Sequence, residues 1–329
     1  MKELTYLEAI NEALHEEMAR DERVLAMGED VAAGYMRGGI FGATRNLLER
    51  FGPERVYDTP ISESGISGCG VGVALMGYRP VVEIMFGDFL TLAMDQIVNL
   101  AAKMRWCMDG EHGVPIVYRT AYGAGVGAAL HHSQSFEAWF AHVPGIKVVL
   151  PSTPAEAKGL LKAAIRDDDP VIFFEHKLLY RSLKGPIPEG EYIVPLGKGD
   201  VKRQGEDLTI IATGAMVHVA LEAANALEVK GVQAEVIDPR TILPLDEEII
   251  LESVKKTGKV IIVHEAPTTG GFGGEIAAII ADKGFDLLDG PIKRVGALFT
   301  PIPFSVPMEK FYLPSVERIL DAAKDLIEM

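Results

Sequence analysis

The chain alternates short apolar runs with longer stretches in which apolar residues recur at helical spacing. Thr5 and Glu8 form a capping-box pattern, which predicts that a helix begins at this point. Short uninterrupted apolar runs are typical of strands buried on both faces of a parallel sheet. The runs that predict such strands cover residues 23–27, 80–85, 114–118, 146–150 and 170–174. Helices are predicted between them, including a long apolar helix over 89–108 and another over 154–165. The alternation predicts an α/β fold with a largely parallel sheet.

A change of composition divides the chain into two parts. Residues 181–199 are rich in glycine and proline, which is typical of a linker. We therefore expect a first domain over 1–180, a linker over 181–199 and a smaller α/β domain over 200–329. The second domain is predicted to contain strands over 208–212, 234–237, 259–264 and 292–295, and helices over 217–230 and 249–255. A further helix is expected to follow the glycine cluster 270–274.

Composition narrows the range of partners. The formal net charge of −15 argues against nucleic acid or an anionic membrane as the main partner. No apolar run approaches the length of a membrane span, and the first residues lack the apolar core of a signal peptide. Cys69 and Cys107 are the two cysteines of the sequence and stand in no metal-ligand spacing. These features favour a cytoplasmic protein in a reducing compartment.

The stretch from Asp58 to Gly68 carries the candidate carboxylate, Glu63. Pro60 biases the preceding residue away from helix, so we expect a helix to open near Ser62 or Glu63. Three glycines then fall on one face of this helix, at positions 65, 68 and 72. They lower helix propensity by roughly 3 kcal/mol in total, and close approach of a second backbone is the usual compensation. Either Glu63 lies beside such a contact as a functional group, or it is only an acid favoured by the helix dipole.

Other patterns leave alternatives open. The glycine clusters 123–127 and 270–274 lack the G-x-G-x-x-G spacing, so a dinucleotide site is disfavoured, and no Walker A sequence is present. His131 and His132 favour hydrogen bonding or acid–base chemistry in a glycine-rich loop over zinc, although a histidine satisfied by backbone groups would look the same. The acids at 167–169 fit a solvated turn or a cation site. One carboxylate and one histidine without a phosphate loop resemble half of an active site.

Taken together, the ordered motifs resemble a known family. They are Gly28-Glu-Asp-Val31, Asp58-Thr-Pro-Ile-Ser-Glu63, Arg79-Pro-Val-Val-Glu83, Asp95-Gln-Ile-Val-Asn99, His132-Ser-Gln-Ser135, His142-Val-Pro-Gly-Ile-Lys-Val-Val149 and Pro151-Ser-Thr-Pro-Ala-Glu-Ala-Lys-Gly159. The chain resembles the β subunit of the thiamine-diphosphate-dependent E1 component of 2-oxo acid dehydrogenase complexes. The resemblance implies a pyrimidine-binding, transketolase-like parallel-sheet domain followed by a smaller transketolase C-terminal-like α/β domain.

The same resemblance implies roles for individual residues. Glu63 matches the glutamate that hydrogen-bonds N1′ of the cofactor's aminopyrimidine, and a carboxyl group in a dry site suits that contact because burial favours its proton-bearing form. Phe89 matches the aromatic residue that packs on the pyrimidine ring, and Glu29 lines the same pocket. His132 matches the histidine that assists acyl transfer to the lipoyl group. Positions that hold a structural potassium ion in some members correspond to Ile116, Ala164, Ile165, Asp167 and Asp169.

Partners and substrate follow from the family as well. The Gly-Asp-Gly diphosphate and magnesium signature is absent from this sequence, and in two-chain members the α subunit supplies it. The resemblance therefore implies an α2β2 heterotetramer with thiamine diphosphate, Mg²⁺ held by the α subunit, and a lipoyl-bearing E2 acyltransferase as partner. Motifs such as Thr300-Pro-Ile-Pro-Phe-Ser305 favour acetoin slightly over pyruvate, while Gly270-Gly-Phe-Gly-Gly-Glu275 resembles the pyruvate and branched-chain types. The competing hypothesis is a non-catalytic assembly subunit that docks through its acidic surface.

Overall fold

A computed structural model describes residues 2–32 and 38–328 of the chain. It divides into two compact units. The first contains residues 1–122 and 139–196, and the second contains residues 123–138 and 197–329. The segment 123–138, which carries His131 and His132, thus belongs with the C-terminal part of the chain.

The predicted alternation of strands and helices is present up to residue 187, with three short strands that the sequence analysis did not predict. The strands are β1 (Lys2–Thr5), β2 (Val24–Gly28), β3 (Val56–Asp58), β4 (Arg79–Phe86), β5 (Val117–Tyr122), β6 (Lys147–Val149), β7 (Val171–His176) and β8 (Lys184–Ile187). The helices are α1 (Tyr6–Arg20), α2 (Leu47–Phe51), α3 (Glu63–Leu75), α4 (Ala102–Cys107), α5 (Glu137–Ala141), α6 (Pro154–Arg166) and α7 (Leu179–Ser182). The small strands β1 and β8 pair antiparallel, and β8 lies inside the predicted linker, 181–199.

A parallel sheet forms the centre of the first unit. Its strands are arranged in the order β6-β7-β5-β4-β2-β3, and each neighbouring pair among them is parallel. Every residue of β2, β5 and β7 is buried, as continuous apolar strands covered on both faces must be. Helices α1 and α6 pack against each other, and a capping box starts each of them, Thr5 with Glu8 and Thr153 with Glu156.

The prediction of one continuous α-helix over 89–108 is wrong. The segment contains a 3-10 helix (Gly87–Ala93), a π-helical stretch (Gln96–Ala101) and then α4. Apolar periodicity cannot separate these three pitches over so few turns. Strand β5 begins three residues later than predicted, at Val117, because Pro115 has no N–H to donate to the ladder.

The second unit is a smaller α/β layer arrangement. Its strands are β9 (Asp200–Arg203), β10 (Leu208–Ala212), β11 (Ala234–Asp238), β12 (Thr241–Leu243), β13 (Val260–Pro267) and β14 (Lys293–Ala297). Its helices are α8 (Met216–Glu228), α9 (Glu247–Thr257), α10 (Gly273–Lys283), α11 (Val306–Tyr312) and α12 (Val316–Ile327), with a 3-10 turn at Phe285–Leu287. The five-stranded sheet has the order β14-β13-β10-β11-β9, in which β9 alone runs antiparallel to its neighbour. Apolar side chains of α9 and α10 pack on it, so the predicted second α/β domain is confirmed.

Across the part of the chain that the structure describes, no helix has the length and apolar character needed to cross a membrane.

Candidate active site

The carboxyl ends of three neighbouring strands bring the predicted cofactor-binding residues to one edge of the first sheet. Strand β2 pairs with β3 on one side and with β4 on the other, and Gly28 lies opposite Asp58. Glu29 directly follows β2, Glu63 follows β3, and Phe89 follows β4. Parallel strands end at the same edge, so the segments that leave them lie together. The sheet order therefore gathers these three side chains, which are far apart in the sequence.

Glu63 occupies the first turn of α3. Ser62 is the N-cap, and its hydroxyl oxygen accepts a hydrogen bond from the N–H of Gly65 at 3.4 Å. The Glu63 side chain is half-buried, and its negative charge faces the positive end of the helix dipole. Ser64 Oγ donates to the carbonyl oxygen of Leu92 at 2.6 Å, which ties this turn to the segment that carries Phe89. The predicted opening of the helix at Ser62 or Glu63 is confirmed.

Glu29 lies close enough to Glu63 for the two negative charges to interact. Burial raises the pKa of the Glu29 carboxyl group, and the negative charges of Asp30 and Glu63 raise it further. The loop after β2 is held against the loop after β3, because Thr59 N–H donates to the carbonyl oxygen of Gly28 at 2.9 Å. The loops that carry these two carboxyl groups are therefore held together at this edge of the sheet.

Phe89 contributes an aromatic ring to this edge. It is half-buried, and its ring packs edge-on against that of Phe86 with the centroids 5.8 Å apart. Phe86 in turn contacts Phe41 at 5.8 Å, so a row of aromatic rings stands behind the candidate site. The position of Phe89 in a 3-10 helix directly after β4, instead of inside a long α-helix, keeps it at the sheet edge.

The glycines of α3 are arranged differently from the prediction. A Cβ at Gly72 would meet nothing within 4 Å, one at Gly68 would meet the Gln96 side chain at 3.5 Å, and Gly65 meets only its own N-cap. No backbone of the described residues approaches this face closely, so it lies open on the chain. The tight contact is at Gly70, where a Cβ would lie 2.8 Å from side-chain atoms of both Ile116 and Val82.

A buried charged network lies inside the first sheet and was missed by sequence reasoning. Arg119 donates to both carboxylate oxygens of Glu175, at 2.7 and 2.8 Å, and to Glu83 Oε2 at 2.7 Å. Tyr180 Oη donates to Glu175 at 2.6 Å. A cavity of about 10 Å³, enough for one water molecule, adjoins this group. The sequence signal that could have revealed this network is an arginine, Arg119, inside a buried strand, because a buried arginine needs an acidic partner.

The structure places His132 in the second unit, whereas Glu63, Glu29 and Phe89 lie in the first. His132 is half-buried, and its neighbour His131 is exposed. The backbone N–H of His132 donates to the carbonyl oxygen of Ala129 at 3.5 Å. Within residues 2–32 and 38–328, no group of three or more His, Cys, Asp or Glu side chains could hold a metal ion. The described residues therefore give no support to a zinc site at these histidines.

The glycine-rich segment before His132 binds carboxylates of its own chain. The N–H of Ala124 donates to Glu265 Oε1 at 2.6 Å, and those of Gly125 and Gly127 donate to the two oxygens of Glu309 at 2.8 and 3.0 Å. Successive N–H groups in such a loop form a concave anion-binding surface. Here acidic side chains occupy it, which removes the support for a nucleotide site at 123–127. Neither glutamate was singled out from the sequence.

The carbonyl groups expected to hold potassium accept hydrogen bonds from the chain itself. Arg79 Nη1 donates to the carbonyl oxygens of Ile165 and Asp167, at 3.1 and 2.8 Å. The carbonyl oxygen of Ala164 accepts from the N–H of Asp167 at 3.2 Å, and that of Ile116 accepts from the N–H of Val171 at 2.9 Å. Each carbonyl oxygen has a second lone pair, and carbonyl oxygens are the ligands that potassium sites use. The donor set fits such an ion in its chemistry.

The two carboxylates of this set are already paired with cations. Lys147 Nζ donates to both oxygens of Asp167 at 2.6 Å, and Arg105 donates to Asp169. These pairs satisfy the carboxylate charges without a metal ion. The potassium site stays a prediction.

Comparisons with known proteins agree with this architecture. Residues 2–182 match the transketolase pyrimidine-binding domain family, and residues 197–319 match the transketolase C-terminal domain family. A solved structure described as a split-gene transketolase, inactive beta4 tetramer, superposes with a TM-score of 0.80 over 99% of this chain and 98% of its own, at 23% identity. That likeness shows the shared fold.

Three relatives from Bacillus subtilis (strain 168) extend over nearly the whole chain. The 2-oxoisovalerate dehydrogenase subunit beta is 49% identical and covers 100% of both chains. The acetoin:2,6-dichlorophenolindophenol oxidoreductase subunit beta is 49% identical over 97% of this chain and 96% of its own. The pyruvate dehydrogenase E1 component subunit beta is 46% identical over 100% of each. The predicted family and fold class are confirmed: the chain belongs to the β subunits of thiamine-diphosphate-dependent E1 dehydrogenases, built on the two-domain transketolase fold.

Proposed function

We propose that this chain supplies the pyrimidine-binding half of an E1 active site. Glu63 would hydrogen-bond N1′ of the aminopyrimidine, Phe89 would pack on its ring, and Glu29 would line the same pocket. The observation that supports this proposal is that the segments carrying these three residues leave the neighbouring strands β3, β2 and β4 at the same edge of the sheet. A carboxyl group beside an aromatic surface suits a flat, weakly basic heterocycle.

Glu63 and Glu29 would have different roles toward the aminopyrimidine. Thiamine diphosphate, when bound, supplies the nucleophilic thiazolium carbon and the electron sink. Glu63 would share a proton with N1′ of the aminopyrimidine. Burial, and then the charges of Asp30 and Glu63, raise the pKa of Glu29, which lowers the tendency of this second carboxyl group to carry a negative charge beside the contact.

A partner subunit would complete the site. A β subunit of an E1 enzyme functions with an α subunit, and we propose an α2β2 heterotetramer in which α holds the diphosphate and Mg²⁺. The described residues contain no cluster of metal-binding side chains, and the printed sequence contains no Gly-Asp-Gly. The pyrimidine-side residues of this chain thus need their counterpart on another chain.

His132 would act after the first chemical step. We propose that it assists transfer of the acyl group to the lipoyl group of an E2 acyltransferase. It is half-buried in a glycine-rich loop, which leaves it accessible to a second molecule, and an imidazole can act as a general acid or base. The two free cysteines agree with a reducing cytoplasm as the location.

For the substrate we propose a 2-oxo acid or acetoin, with acetoin ahead of pyruvate. This preference rests on motifs of the second half of the chain, such as Glu175-His-Lys-Leu-Leu-Tyr180. A branched-chain 2-oxo acid is the direct competitor. Assaying the co-expressed α and β subunits with acetoin, pyruvate and 2-oxoisovalerate decides it, and a larger kcat/KM for either acid would overturn the acetoin preference.

The decisive test replaces Glu63 by Gln in the assembled enzyme. We expect turnover with an artificial electron acceptor to fall by roughly 10²- to 10⁴-fold, the usual contribution of a positioned acid or base. Glu54→Gln, at an exposed position of the same unit, is the matched control and should keep full turnover. Normal turnover of Glu63→Gln in an intact assembly would favour the rival function, a non-catalytic assembly subunit that docks through its acidic surface.

A further inference from the structure

The segment that carries His132 is held at both ends by buried carboxylates. Its backbone turns through left-handed conformations at Gly123, Gly125 and Gly127, with φ of +88°, +98° and +70°. These conformations favour glycine and direct neighbouring N–H groups toward one side. Glu309 accepts two of these N–H groups, one on each carboxylate oxygen.

Glu265 closes the segment from both directions. Its Oε1 accepts the N–H of Ala124 at 2.6 Å before His132, and the hydroxyl of Ser135 at 3.4 Å after it. Ala124 also packs in an apolar cluster with Ala297, Ile302 and Tyr312 of the second unit. The two residues that flank the histidine segment are therefore fastened to one carboxylate.

Both glutamates come from elements that are distant in sequence from the loop. Glu265 lies on β13, an inner strand of the second sheet, and Glu309 lies on α11. They are 5% and 2% exposed. A carboxylate is buried at this level only where hydrogen-bond donors replace its water, and the loop N–H groups are such donors. Carboxylate and loop thus each require the other in this conformation.

We propose that Glu309 and Glu265 are positioning residues that hold His132 in the conformation needed for acyl transfer. The proposal rests on the function proposed for His132. Neither glutamate touches the reacting atoms; they act through the backbone of residues 124–135. A small displacement of a positioned group lowers its rate contribution steeply, so loss of this anchor should slow the step that uses His132 and leave earlier steps largely intact.

The test uses the assembled E1 enzyme with Glu309→Ala, Glu309→Gln and His132→Ala. Two rates are measured for each, turnover with an artificial electron acceptor and acyl transfer to a free lipoyl domain. We expect Glu309→Ala to lose roughly 10- to 100-fold in acyl transfer and far less with the acceptor. Glu309→Gln keeps one acceptor oxygen and should recover part of the loss. Glu317→Gln, an exposed position on α12, is the control and should change neither rate.

Two further measurements separate positioning from general damage. The double variant Glu309→Ala with His132→Ala should be no slower in acyl transfer than His132→Ala alone, because both changes remove the same contribution. Amide hydrogen exchange of the peptide that covers 123–128 should be faster in Glu309→Ala and Glu309→Gln than in the unmodified enzyme. Unchanged exchange would overturn the anchor. Normal acyl transfer in a variant with faster exchange would overturn its role in positioning. If His132→Ala does not slow acyl transfer more than turnover with the artificial acceptor, the function proposed for His132 is wrong. Faster amide exchange in the Glu309 variants would then still show that Glu309 anchors the loop.

Discussion

The guanidinium group of Arg119 forms two parallel hydrogen bonds with the carboxylate of Glu175, at 2.7 and 2.8 Å. The two side chains are 2% and 0% exposed. Arg119 also donates a hydrogen bond to Glu83, so one cation is shared by two carboxyl groups in the interior of the first sheet. This network joins the neighbouring strands β4, β5 and β7, and β4 also borders the candidate site.

Replacing Arg119 by Met should therefore be strongly destabilising. The change leaves Glu83 and Glu175 buried without their shared cation, and removal of one partner of a buried pair costs about 3–5 kcal/mol. The free energy of unfolding from urea titration measures it. Lys184→Met is the control, because its pair with Glu3 is 60% and 61% exposed and should contribute less than about 1 kcal/mol. Losses of equal size would contradict the prediction.

The glycines of α3 give a matched pair of substitutions. Gly72→Ala should raise the free energy of unfolding of the chain by about 0.5–1 kcal/mol, since a Cβ there meets nothing within 4 Å and alanine favours helix. Gly70→Ala should lower it, because a Cβ 2.8 Å from Ile116 and Val82 overpacks the core, at a typical cost of 1–3 kcal/mol. Thermal unfolding of the two variants compares them directly. The same sign for both would show that α3 packs differently.

The open glycine face predicts an effect on assembly. Gly68→Leu should yield a folded β chain, because a Cβ there meets only the Gln96 side chain, at the ordinary contact distance of 3.5 Å. It should impair formation of the heterotetramer if another subunit covers this face. Circular dichroism checks the fold and sedimentation checks the assembly. A tetramer of normal size would mean that this face stays in solvent, and an insoluble chain would mean that the contact is internal.

Cofactor binding should depend on the partner subunit. The proposed pyrimidine-side carboxylate, Glu63, lies on this chain, whereas the described residues include no metal-binding cluster. Calorimetry with thiamine diphosphate and Mg²⁺ should show weak uptake by the isolated β chain and tight uptake once the α subunit is added. Tight magnesium-dependent binding by the β chain alone would argue against a shared site.

Glu137 predicts a pH dependence of stability. Burial, with a further contribution from the charge of Glu265, raises the pKa of this carboxyl group from 4.5 to about 7. One of its oxygens has no hydrogen-bond partner among the described residues. Between pH 4.5 and about 7 the folded chain keeps a proton on Glu137 that the unfolded chain has released. The contribution of this group to the free energy of unfolding therefore has its full value below pH 4.5 and falls as the pH rises toward 7.

Glu137→Gln tests this dependence. The unmodified chain should lose stability relative to the variant as the pH rises, by at most about 1.4 kcal/mol per pH unit, and the difference should level off above neutrality. Urea unfolding from pH 4.5 to 8 measures the difference between the two chains. Glu54→Gln should show no such trend. Parallel curves for the unmodified chain and Glu137→Gln would refute the shifted pKa.

Local patterns predicted the elements well where the determinants are local. The capping box of Thr5 and Glu8 and the helix start at Ser62 depend on residues three or four positions apart, and both are confirmed. The predicted strand 208–212 agrees with Leu208–Ala212 because a short apolar run between turns admits few alternatives. The segment 89–108 was predicted wrongly, since apolar periodicity does not distinguish 3-10, α and π pitch.

The sequence by itself determined the alternation of strands and helices, predicted a division into two α/β domains, and identified the family through its ordered motifs. Only the tertiary structure decided which strand ends are neighbours, and hence that Glu29, Glu63 and Phe89 share an edge. It also decided that Arg119 is buried between two carboxylates and that Glu309 binds a loop more than 180 residues before it. These contacts depend on sheet order and register, which are set by the packing of the whole chain and leave no periodic signal in the residues that make them.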